Sequence, residues 1–102
     1  MGAMINEDRF GVVDLAVTPA AVGANTTSEQ TFTVPGLMTT DFVEVNKPSF
    51  QAGLTIAHAR ASAFNTIAIT FVNNTAASIT PTAETYMVHW FRAERQTLHI
   101  PA

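Results

Sequence analysis

Cysteine is absent from the 102 residues. That excludes a disulfide framework, a thiolate metal site and a cysteine nucleophile, and it leaves the redox compartment unreadable. Charge is scarce as well: 13% of residues are Asp, Glu, Lys or Arg, against about 25% in an ordinary soluble domain. Lys47 is the sole lysine, four arginines are scattered, and the formal net charge is -3. A sequence-independent nucleic-acid binder needs clustered Lys and Arg to displace counterions from phosphates, so no nucleic-acid partner is expected. Nothing approaches the run of about 20 apolar residues that spans a bilayer. The first residues, with Asn6, Glu7, Asp8 and Arg9, lack a signal-peptide core, and no membrane partner is expected. Met1-Gly2 opens like a myristoylation site, but Asn6 stands where that motif wants Ser or Thr.

What the chain does have is apolar side chain, at 47% of residues. A chain of this length is one domain, and folding removes only about two-thirds of its surface from water. Most charged positions then stay outside, and there are few of them. A solitary monomer would have a poorly charged exterior, so neighbouring subunits are expected to cover part of it.

Punctuation along the chain is that of short strands. Thr18-Pro19, Gly23-Ala24-Asn25, Pro35-Gly36, Lys47-Pro48, Gly53, Asn65, Asn73-Asn74 and Thr80-Pro81 recur at intervals that leave almost no room for helices. Between them, residues 13–17, 29–34, 42–46, 54–60, 66–72 and 85–92 are rich in Val, Ile, Thr or aromatics, the types that suit a pleated, half-buried surface. Alternation sorts their faces. Gln30, Phe32 and Val34 oppose Thr31 and Thr33; Leu54, Ile56, His58 and Arg60 oppose Thr55, Ala57 and Ala59; Ile67, Ile69 and Phe71 oppose Ala68, Thr70 and Val72. The expected fold is all-β: a small antiparallel β-sandwich of jelly-roll type over residues 13–95, with an N-terminal arm at 1–12 and a C-terminal tail at 96–102.

Residues 85–92 break the pattern of one bulky and one small face. Tyr86, Val88 and Trp90 fall on one side, and Met87, His89 and Phe91 on the other. Two readings fit: a central strand covered on both sides within its own domain, or a strand with one side on the core and the other on a neighbouring subunit, where aromatics are enriched. A helix over 83–94 competes on propensity, but the aromatic and β-branched content favours a strand.

Residues able to do chemistry are sparse and dispersed. His58, His89 and His99 lack metal-ligand spacing, so no metal site is expected; His58 and His89 read as half-buried polar groups or as subunit contacts that make assembly sensitive to pH. Asp41, at a turn, and Glu44 read as solvated rim charges rather than a catalytic pair. Ser28, Ser49, Ser62 and Ser78 lie in no nucleophile elbow, and neither common phosphate-loop pattern occurs. Neither a cofactor nor an enzymatic activity is therefore expected. Lys47, just after an apolar strand, reads either as an exposed charge in a turn or as a polar contact across an interface. Asn25-Thr26-Thr27 and Asn73-Asn74-Thr75 match the glycosylation sequon but read as turns in which Asn tolerates positive φ.

Several stretches carry a resemblance. They are Ala20-Ala21-Val22-Gly23-Ala24-Asn25-Thr26-Thr27-Ser28-Glu29-Gln30-Thr31-Phe32-Thr33-Val34, Val45-Asn46-Lys47-Pro48, Gln51-Ala52-Gly53-Leu54 through Ala57-His58-Ala59-Arg60, Asn65-Thr66-Ile67-Ala68-Ile69-Thr70-Phe71-Val72-Asn73 and Ile79-Thr80-Pro81-Thr82. Over residues 18–90 the chain resembles small virion structural proteins of tailed bacteriophages, of the head decoration or cement type. The resemblance implies a protein of the capsid exterior, assembled in the host cytoplasm, often trimeric, whose partners are the major capsid protein and further copies of itself. It supplies no active-site residues. A tail, neck or fibre-base component is the alternative virion role. A glycan-binding β module is a further alternative, with Trp90 beside Arg92 or Tyr86 beside Glu84 as its only candidate pairs. The residues expected at an oligomer or capsid interface are Phe10, Val12, Lys47, Met87, His89, Phe91 and Arg92.

Overall fold

A computed structural model describes residues 9–92. Six strands follow one another with no helix between them: β1 (Phe10–Val17), β2 (Thr26–Thr33), β3 (Phe42–Asn46), β4 (Leu54–Ala63), β5 (Thr66–Asn73) and β6 (Glu84–Phe91). They form two three-stranded antiparallel sheets, in the orders β1-β6-β3 and β2-β5-β4. All six stretches expected from turn punctuation and residue type contain a strand, and residues 84–91 are a strand rather than a helix.

One long ribbon underlies both sheets. The β1–β6 ladder runs from Phe10 opposite Phe91 to Val17 opposite Glu84, an isolated bridge joins Val22 to Ile79, and the β2–β5 ladder resumes at Thr26 opposite Asn73. The ribbon bends between the sheets at its Pro- and Gly-containing connections. β3 then pairs with the far side of β6, and β4 with the far side of β5.

The inward side chains of both sheets make a single core. Val17, Ile67, Ile69, Phe71, Tyr86 and Val88 are its buried strand residues, joined by Val22, Val34 and Leu37 from the connections. Each large apolar side chain buried this way contributes about 1.5–3 kcal/mol. Turn chemistry holds the strand ends. Pro35 and Gly36 (φ 89°) form a turn closed by the Leu37 amide on the Val34 carbonyl at 3.1 Å, the type II geometry that wants glycine at its third position. Asn73 is fully buried, and its amide group donates to the Val22, Gly23 and Ala77 carbonyls while its oxygen accepts from Thr75. The sequon at Asn73 is thus a structural joint, and Asn25 and Asn65 occupy the left-handed region (φ 51° and 65°) as turn residues.

Three expectations change. The N-terminal arm does not extend to Val12, because Phe10, Gly11 and Val12 pair with Phe91, Trp90 and His89 as the start of β1. Residues 1–8 and the tail at 96–102 lie outside the described residues. In β4 the alternation slips: a bulge at Ala57 advances the register between Ile56 and His58, so Ala59 and Ala61 turn to the core while His58 and Arg60 turn outward. Asp41 is not a solvated rim charge, for its side chain has no exposure and is gripped by Arg92.

Candidate interaction face

The outward faces of the two sheets differ in chemistry. On β2-β5-β4 the outward positions are Thr27, Glu29, Thr31 and Thr33, then Thr66, Ala68, Thr70 and Val72, then Thr55, His58 and Arg60. Arg60 reaches Glu29 with two hydrogen bonds of 2.9 and 3.0 Å across this sheet. The surface is threonine-rich, as alternation predicts for β2, but in β4 the bulge sets His58 and Arg60 on it in place of Ala57 and Ala59.

On β1-β6-β3 the outward positions fall into rows set by the ladders. Phe10, Phe91 and Phe42 form one row; Val12, His89 and Glu44 the next; Asp14, Met87 and Asn46 the third. The Phe42 and Phe91 rings stack at 6.1 Å between centroids, inclined by 26°. Yet Phe10 is 56% exposed, Val12 60%, Phe42 65%, Met87 49% and Phe91 45%. Applied to side-chain surfaces of about 150–200 Å², these fractions amount to about 500 Å² of contiguous apolar surface, the size at which a patch marks an interaction site. Covering it is worth about 12 kcal/mol before the costs of association.

Five of the seven residues expected at an interface therefore lie together: Phe10, Val12, Met87, His89 and Phe91. His89 sits at the centre of the patch, with Glu44 Oε1 3.8 Å from its Nδ1. The reading of residues 85–92 as a strand covered on both sides within its own domain does not hold among the described residues. β6 is a central strand with Tyr86 and Val88 in the core, but among the described residues nothing covers its other side. His58 is exposed and the His89 side chain is 49% exposed, and both line a groove of about 460 Å³ between β3 and β4. Among the described residues no group of three His, Cys, Asp or Glu could hold a metal ion.

Lys47 and Arg92 are placed elsewhere. Lys47 is an internal tie: its ammonium donates to the Ser49 carbonyl and hydroxyl at 2.9 and 3.0 Å and lies 3.2 Å from Glu84. The Ser49 hydroxyl donates to Glu84 at 2.7 Å, and this bond, with the nearby lysine, holds the Glu84 carboxyl below its ordinary range. Arg92 donates to both oxygens of Asp41 at 2.6 and 2.8 Å and to the Gly36 carbonyl at 3.1 Å, and its guanidinium lies 5.0 Å from the Trp90 ring centroid. These contacts consume the Trp90 and Arg92 glycan candidates, and Tyr86 is fully buried.

Phe42, Asp14, Glu44 and Asn46 belong to the face but were not expected there. The signal was available for Phe42: with Val43 and Val45 turned to the core, Phe42 must point outward. Only the pairing of β3 with β6 places it beside Phe91. Two further exposed aromatics, Phe50 at 87% and Phe64 at 65%, lie in the β3–β4 and β4–β5 connections and belong to none of these rows. No protein-family model, curated protein or solved structure matches the chain.

Proposed function

We propose that this chain is a structural virion protein of a tailed bacteriophage that decorates or cements the capsid at junctions of the major capsid protein, and that it acts by burial rather than by catalysis. The observation that supports this reading is that five of the eight exposed large apolar side chains among the described residues share one sheet face. Phe10, Val12, Phe42, Met87 and Phe91 crowd one sheet face, while the opposite face is threonine and a single ion pair. A protein working alone in water has no use for such a face. An assembly subunit does.

The folded ribbon supports the finer fold reading, a reduced jelly roll with two sheets sandwiched over one core. In that architecture an antiparallel ribbon is rolled so that its halves alternate between sheets, as the β1–β6, Val22–Ile79 and β2–β5 pairings do here. Such a body presents broad sheet faces and short loops, which suits a module laid on or between shell subunits. Linked contacts then resist rupture, because expansion of the shell must break them together.

The test is a particle lacking this protein. It should rupture at a lower temperature, or under milder chelation, than the complete particle, and adding back purified chain should restore the difference. Unchanged rupture would remove the cement role, and absence of the chain from purified particles would remove the virion reading altogether.

A further inference from the structure

We propose that the β1-β6-β3 face is closed by a second copy of this chain, packed face to face about a two-fold axis that runs along β6. This deepens the reading above by naming what covers the face. It rests on that reading only for its biological setting.

Two arrangements let a sheet face meet its own copy about a two-fold axis lying in the interface. With the axis across the strands, through the central row, Glu44 meets Glu44 of the other copy, and Phe10 and Phe42 meet Asp14 and Asn46. Like charges then face each other, and phenyl rings desolvate a carboxylate, both of which are costly. With the axis along β6, every row meets itself with its ends exchanged. Phe10 faces Phe42 of the other copy, Phe91 faces Phe91, and Met87 faces Met87, so six phenylalanines and two methionines close on one another. Asp14 faces Asn46, whose amide can donate to its carboxylate. Glu44, 86% exposed in the single chain, faces Val12 at the rim and stays beside its own His89, which faces His89 of the other copy. The register of the three strands thus makes the face self-complementary in one orientation and self-repelling in the other.

The area agrees. Two faces of about 500 Å² remove about 1,000 Å² of apolar surface, the lower bound for a biological interface, before polar rims are counted. Sheets pack face to face about 10 Å apart with strands within about 30° of alignment, so the rows stay in contact along their length.

Sedimentation equilibrium on the full chain tests this. The expected species is a dimer. Phe42→Asp should raise its dissociation constant about 30-fold or more while the circular dichroism spectrum is unchanged, since that side chain is outside the core. Asn46→Lys should tighten the dimer, about tenfold, by pairing with Asp14 of the other copy; with the axis across the strands the same lysine would face Phe42 and weaken it. A monomer, a trimer, a dimer indifferent to Phe42→Asp, or weakening by Asn46→Lys would each overturn the proposal. Failure here with particles that still need the protein would assign the face to the shell and leave the virion reading standing. A dimer of the expected behaviour with particles indifferent to the protein would do the reverse.

Discussion

Arg92 grips the carboxylate of Asp41 with two hydrogen bonds of 2.6 and 2.8 Å, and the Asp41 side chain is wholly shielded from water. Its second oxygen also accepts from the Met38 amide at 2.9 Å, so one carboxylate ties the β2–β3 connection to the end of β6. Phe42, the first residue of β3 and one corner of the apolar face, follows directly. The clasp therefore positions the face although neither of its members lies on it.

Breaking the clasp should cost stability and change its acid dependence. The Arg92 guanidinium and the Met38 amide hold the Asp41 carboxyl below its ordinary value near 3.8. Folded chains bind that proton more weakly than unfolded ones, so the contribution is whole above the ordinary value and is lost as pH falls from there through the lower folded one. Arg92→Met, which leaves the buried carboxylate unpartnered, should lose about 3 kcal/mol at neutral pH. Asp41→Asn should lose somewhat less and flatten the acid limb. Urea denaturation across the acid range measures both, and an unchanged acid limb in Asp41→Asn would contradict the assignment.

Tyr86 offers the opposite case. Its hydroxyl is buried with no hydrogen-bond partner among the described residues, and burial, with the Glu84 carboxylate nearby, pushes its ionisation up to about 12. Here the folded chain binds the proton more tightly, so stability holds up to the ordinary tyrosine value near 10 and falls as pH rises from there towards 12. Tyr86→Phe should gain about 1 kcal/mol at neutral pH, because an unsatisfied buried hydroxyl is removed, and should abolish this alkaline loss. Chemical denaturation of the two proteins at neutral and alkaline pH reads the difference. A loss of stability in Tyr86→Phe would mean that the hydroxyl has a partner.

Gly11 is held by a close approach rather than by its backbone angle. A Cβ there would lie 2.7 Å from Nε1 and 2.9 Å from Cε2 of the Trp90 indole, which lies across it from the neighbouring strand. Gly11→Ala should therefore displace the indole, cost about 1–3 kcal/mol and shift the emission of the sole tryptophan towards the red. Unaltered emission and stability would show that the ring is not seated there.

Turn residues and the β-branched and aromatic stretches between them located all six strands, because both are local signals that packing of the sheets reinforces. What escaped depends on pairing. The bulge at Ala57 reverses the phase of His58 and Arg60, and no residue type marks it. The burial of Asp41 follows from Arg92, 51 positions away, and proximity of that kind is invisible to spacing. The internal tie of Lys47 was hidden for the same reason, since Glu84 lies 37 positions away on β6. The face itself was half legible: Met87, His89 and Phe91 were marked by a strand with two bulky sides, whereas Phe42 acquires meaning only when β3 lies beside β6.

Hydroxyl-radical footprinting of the full chain, at concentrations above and below association, bears most directly on whether a partner covers the β1-β6-β3 face. Phe10, Phe42, Met87 and Phe91 should be protected in the concentrated sample, while Phe50 and Phe64, exposed outside those rows, are labelled equally in both. Equal labelling of the four face residues at every concentration, and in assembled particles, would contradict the account.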